Sequence, residues 1–130
     1  MQGLGPRGKS KVGIMIYSLK YTDDMAANVG GYTRLWFIRI RPKYKDDKGI
    51  HAHELKHVEY WWKYGVIGRL LYKFSKRWRL NEEVACYREQ LKHAPAIHNP
   101  GHYRDMYAGF IADEYGLDVS KGKVLKLLTQ

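Results

Sequence analysis

His53-Glu54-Leu55-Lys56-His57, inside the run Ile50-His51-Ala52-His53-Glu54-Leu55-Lys56-His57-Val58, places two histidines four residues apart. On a helix, positions i and i+4 lie on one face, one turn apart. Two imidazoles so placed can reach one metal ion at about 2.0–2.1 Å each. Glu54 is rotated by about 100° from His53, so it sits beside such an ion rather than on it. That is the place of a general base for a metal-activated water. Two histidines alone hold zinc weakly, so a third protein ligand is expected.

The segment around this pentapeptide reads as a helix from about Ile50 to Tyr64, with Gly65 as a C′ stop. Before it, Tyr32 to Ile40 is expected as one β-strand, with Trp36, Ile38 and Ile40 on the core face. Its β-branched and aromatic content supports a strand more strongly than its imperfect alternation does. Val12-Gly-Ile-Met-Ile-Tyr17 is a second β-prone run, and Asp23 to Gly31 reads as a loop. Pro42 ends the long strand, and Lys43 to Gly49 makes a charged turn.

Beyond Gly65, Val66 to Trp78 is expected as a short helix or an ordered connection. Asn81 is the predicted N-cap of a helix reaching about His93, before Pro95. A His98-Asn-Pro-Gly-His102 loop follows, then a helix from Tyr103 to Tyr115 closed by Gly116. Lys123 to Leu128 reads as a last helical turn or a strand. Strands precede helices, so the expected class is α+β. Residues 1–10 are expected as a flexible basic tail and 11–130 as one domain, a size at which a hydrophobic core suffices without disulfides.

The third ligand is sought in Leu80-Asn-Glu-Glu-Val-Ala-Cys-Tyr87. Ala85 and Cys86 are small and lie three and four residues after Glu82, so that face can pack closely on the histidine helix. Glu82 is therefore the preferred ligand. Glu83, whose face carries Tyr87 and Gln90, competes with it. Both acids also have a plainer role, complementing the dipole of a helix begun at Asn81. His98 and His102 are alternative third ligands. His51 reads as surface-exposed. Tyr87, Tyr103 and Tyr107 are candidate oxyanion donors, with ordinary packing the simpler role in a chain of 11 tyrosines.

His53 to His57 matches the zincin signature, and Asn81-Glu82 with Ala85 resembles the Asn-Glu-x-x-Ala/Ser segment of gluzincins. The resemblance implies zinc held by His53, His57 and Glu82, with Glu54 as general base in a metallopeptidase or amidase acting on a peptide or protein. It implies a minimal zincin-like fold: a small N-terminal sheet, an edge strand that aligns substrate, the active-site helix and two or three further helices. Gly and His would stand at positions 60 and 63 in a metzincin, where this chain has Tyr60 and Lys63. Thermolysin-type enzymes continue with Asp where Cys86 stands here. Small proteins of this layout resemble those found in phage and prophage genomes.

The formal charge of +10 favours anionic partners and motivates an alternative. In that reading the chain is a non-catalytic zinc-binding structural or nucleic-acid-binding module, such as a component of a viral assembly. Lys73-Phe-Ser-Lys-Arg-Trp-Arg79 interleaves basic and aromatic residues as single-strand binding surfaces do, though a solvated connector is the simpler account. Tyr60-Trp61-Trp62 is expected to anchor the histidine helix on the strand layer. Cys86, the only cysteine, excludes an internal disulfide and reads as a small buried residue. No run reaches the roughly 20 apolar residues of a membrane span, and Val12 to Tyr17 is too short for a secretory core. A cytoplasmic or virion-associated protein without a membrane partner is expected.

Overall fold

The computed structural model describes residues 7–10, 13–95 and 101–130. The architecture is α+β, with short strands followed by four helices, as the order of sequence patterns predicts. Strands β1 (Arg7–Ser10) and β2 (Gly13–Ile16) form an antiparallel pair. Strand β1 falls within the stretch expected as a tail. Strands β3 (Ser18–Tyr21), β4 (Gly31–Arg34) and β5 (Phe37–Ile40) form a second sheet in the order β3-β5-β4. In it β5 pairs parallel to β3 and antiparallel to β4.

The single strand expected over Tyr32 to Ile40 is therefore a hairpin. Arg34 pairs with Phe37, which leaves Leu35 and Trp36 as a two-residue turn. Leu35 takes a positive φ of 54° there. Tight hairpins require such a φ, and sequence reading looks for Gly or Asn at that place. The core face was read correctly: Ile38 and Ile40 are buried and Phe37 faces out. The sheet edge nearest the histidine helix is β4, with β5 at the centre.

Arg41 fixes the long loop before β4. Its guanidinium donates to the carbonyls of Val29 and Ala26, both at 2.6 Å, and to Asp23 Oδ1 at 3.1 Å. Gly31 is needed where the hairpin meets α1, because a Cβ there would lie 3.0 Å from the Arg39 carbonyl oxygen.

Helix α1 (Lys48–Phe74) starts at Asp47, whose side chain accepts from the Ile50 amide. It is broken at Gly65, with φ 61° and ψ −145°. Only glycine adopts that backbone readily, so the stop expected at Gly65 is a kink, and a second helical segment runs on to Phe74. Helix α2 (Lys76–Leu91) begins at Ser75, whose hydroxyl accepts from the Trp78 amide at 3.1 Å. Asn81 is thus not its cap but an exposed residue inside it. Helices α3 (His102–Glu114) and α4 (Lys121–Thr129) complete the chain, and α4 resolves the helix-or-strand ambiguity of Lys123 to Leu128.

Two hydrophobic clusters result. One joins the strands to α1 through Met15, Tyr17, Ile38, Ile40 and Val58. The other joins α2, α3 and α4 through Val84, Tyr87, Tyr107, Ala108, Ile111, Val124 and Leu128, with Leu117 of the α3–α4 connection. Trp61 and Trp62 meet Trp36 with ring centroids 6.0 Å apart, and Trp62 Nε1 donates to the Ile16 carbonyl. Trp61 and Trp62 thereby anchor α1 on the strands, whereas Tyr60 packs on Tyr64 and on Trp78 of α2. No helix among the described residues is long and apolar enough to cross a membrane.

Candidate metal centre

Helix α1 presents His53 and His57 on one face, as their spacing requires, and α2 packs against that face. His53, Glu82 and Glu83 are buried, and His57 is largely covered. Burying charged groups is unfavourable unless each finds partners, and here their partners define the geometry.

His53 Nδ1 lies 3.0 Å from Gln90 Oε1, and His57 Nδ1 lies 2.6 Å from Glu82 Oε2. Both contacts place a proton on Nδ1, since each partner oxygen only accepts. The Nε2 atoms are then directed to a common region, and Glu83 sits in it. Glu83 Oε1 is 3.6 Å from His53 Nε2, and Oε2 is 3.3 Å from His57 Nε2. Tyr72 donates to Oε2 at 2.5 Å. Oε1 has no hydrogen-bond partner, the one acceptor so placed among the described buried side chains. The two Glu83 oxygens thus each face one imidazole, Oε1 toward His53 and Oε2 toward His57.

Glu82 differs. Arg69 Nη2 donates to both of its oxygens, at 2.7 and 2.8 Å, and Trp78 Nε1 donates to Oε1 at 3.2 Å. With His57 Nδ1 added, its acceptor sites are engaged. Sequence reading preferred Glu82 as the metal ligand. Both acids contact His57, Glu82 at Nδ1 and Glu83 at Nε2, and Glu83 also approaches His53 Nε2. Cys86 follows Glu83 by three residues on the same face. His53, His57 and Cys86 offer ligand atoms within 4.8 Å of one another. The reading of Cys86 as a small buried residue holds for its burial, but it also stands beside the imidazoles.

Burial opposes charge on His57, yet the Cys86 sulfur, the Glu83 carboxylate and the Glu82 contact outweigh it and raise its pKa well above the ordinary value. Of these, the carboxylates are the effective cause, because burial pushes the Cys86 thiol up to about 12 and keeps it neutral. Burial lowers the pKa of His53 against the opposing pull of Glu54. Burial also works against the charge on Glu83, but His57, His53 and the Tyr72 hydroxyl bring its carboxyl down to about 2. The centre thus pairs a neutral His53 with an ionised Glu83.

Glu54 points toward the sheet edge. The Thr33 hydroxyl of β4 donates to Glu54 Oε1 at 2.9 Å, with the Glu54 carbonyl 3.2 Å away. Sequence reading missed Thr33, although a hydroxyl at an inward position of a strand before the helix is a usable signal. Glu54 and His53 line a cavity of about 520 Å³, together with Gly30, Gly31, Tyr87 and Tyr107. That volume lies in the range of small-ligand sites.

Of the other candidates, Tyr87 packs edge-on against His53 at 4.4 Å and shares a hydroxyl contact with Tyr115 at 2.9 Å. Tyr103 also lines the cavity. His51 is engaged elsewhere, with Tyr21 and the Asp47 carbonyl. His102 opens α3 and packs on Tyr103, and His98 lies outside the described residues. The Lys73–Arg79 run forms the α1–α2 turn, with Arg79 donating back to the carbonyls of Tyr72 and Lys73. No family model, curated protein or solved structure matches this chain.

Proposed function

We propose that the chain is a zinc-dependent peptidase or amidase whose ion is held by His53, His57 and Glu83. The observation that carries this reading is the Glu83 carboxylate: Oε1 has no hydrogen-bond partner and lies toward His53 Nε2, Oε2 lies toward His57 Nε2, and both Nδ1 atoms are already committed to Gln90 and Glu82. Two imidazoles and one carboxylate are the ligand set of hydrolytic zinc sites that keep a coordination position open. Zinc in such a site acts as a Lewis acid and activates water.

The remaining work belongs to the chain itself. Glu54 borders both the histidine pair and the cavity, so its carboxylate can take a proton from the attacking water and return it to the leaving amine. Thr33 fixes the orientation of that carboxylate from the strand. As an edge strand, β4 can accept an extended peptide as an added strand, which delivers a scissile bond beside Glu54. Tyr87 packs on the first histidine and keeps its ring in place.

The test is zinc content and peptide hydrolysis measured side by side. Wild type is expected to carry about one zinc per chain, and His53→Ala none. Glu83→Gln should lose the ion, whereas Glu82→Gln weakens affinity by about 10–100-fold, as orienting contacts do. Glu54→Gln should keep zinc and lose turnover. Wild-type protein that takes up no zinc, or a Glu83→Gln variant that binds it as tightly as wild type, ends the proposal.

A further inference from the structure

The distal half of α1 is amphipathic in the wrong sense for a helix of a closed globule. At about 100° per residue, Val66, Ile67, Leu70, Leu71 and Phe74 fall within an arc of about 140°. That arc faces outward: Val66 is 63% exposed, Ile67 69%, Leu70 52% and Phe74 75%. The opposite side carries Gly68, Arg69 and Tyr72, and it turns the last two onto Glu82 and Glu83. Polar groups point in and apolar groups point out. A contiguous exposed stripe of this kind marks an interaction surface.

The charge around the stripe selects its occupant. Between Glu59 and Glu82 the chain has no acidic residue, but it has Lys63, Arg69, Lys73, Lys76, Arg77 and Arg79. Lys63, Lys73, Lys76 and Arg77 are exposed. A second copy of the chain would bring the same cations against them. The apolar side chains also protrude from a convex helix, so a protein partner would need a matching groove. A bilayer needs none, and exposed Trp62 and Tyr64 at one end are residues that favour the membrane–water boundary.

We infer that this segment docks on an anionic lipid surface, with the Val66–Phe74 stripe entering the headgroup boundary and the flanking cations meeting lipid phosphates. Helices with an apolar face and a basic border bind membranes in this way, lying in the interface without spanning it. The kink at Gly65 sets the segment's direction apart from the rest of α1. The inference does not depend on zinc binding or catalysis.

Vesicle flotation with full-length protein tests it, using phosphatidylcholine vesicles with and without about one-third phosphatidylglycerol. The protein should float with the anionic vesicles and not with the neutral ones, and binding should weaken with salt. Ile67→Ser/Phe74→Ser removes two exposed side chains without touching the core, and should cut partitioning by at least about tenfold. Circular dichroism should show it folded as wild type. Absence of flotation at low salt overturns the proposal, and so does flotation unchanged in the double variant. Sedimentation showing a dimer that the double variant abolishes assigns the stripe to a second copy instead. Binding to polyglutamate, with no flotation, assigns it to an acidic protein.

Discussion

His57 holds its proton more tightly in the folded chain than it would unfolded, because Glu82 and Glu83 flank its two nitrogens. A raised folded pKa contributes stability that is complete below the unfolded value of about 6.5 and is lost as pH rises through the folded value. His53 is neutral in both states above pH 7, so it adds no slope there, and the buried tyrosines and Cys86 act only at still higher pH. Metal-stripped protein should therefore lose stability as pH rises above the ordinary histidine value of about 6.5, read from urea midpoints, while His57→Gln shows a flatter profile there. A parallel pair of profiles would show that the carboxylates do not hold the His57 proton. At this scale the sequence revealed that His53 and His57 share one face, since they stand four residues apart, with Glu54 about 100° round the helix. It did not separate Glu82 from Glu83. Neighbouring positions differ by about 100° around α2, and which histidine nitrogen each acid meets depends on how the two helices pack, which no local pattern encodes.

At the scale of elements, composition marked the α2 region, but its start was displaced. Asn81 followed by two acids is a convincing cap pattern. Ser75 takes the role because the chain turns immediately after Phe74, where Arg79 caps the last carbonyls of α1. Moving the start back from Asn81 puts Glu82 and Glu83 in the helix interior, so their burial against α1 replaces a dipole role. Ser75→Ala should cost about 1 kcal/mol. Asn81→Ala should be neutral or stabilising by a few tenths, because Ala suits a helix interior better than Asn does. Thermal denaturation of both variants decides between them, and a larger loss at Asn81 would return the cap there. The β4–β5 hairpin was hidden for a related reason. Leu35 at positive φ carries no turn signal, so two four-residue strands read as one of nine.

For the molecule as a whole, the candidate centre lies on the seam between two cores. The strands and α1 share one cluster, α2 to α4 share the other, and α1 against α2 joins them. That seam is built around His53, His57, Glu82, Glu83 and Arg69 rather than aliphatic packing. Buried charge networks of this kind add little net stability, because desolvation offsets attraction. A cation bound by ligands from both sides, His53 and His57 from α1 and Glu83 from α2, would tie the halves directly. Ligand binding to the folded state alone stabilises by about 4 kcal/mol at a thousandfold excess over Kd. Zinc should accordingly raise the melting temperature by roughly 10–15 °C for a chain of this size, and a chelator should reverse it. Hydrogen exchange should slow in α2 as well as in α1, since opening either half breaks the same site. Glu83→Gln should show no zinc-dependent shift, while Ile67→Ser/Phe74→Ser should shift like wild type. A midpoint indifferent to zinc, or protection confined to α1, would mean that the seam is held by its own ion pairs and that the histidines serve packing.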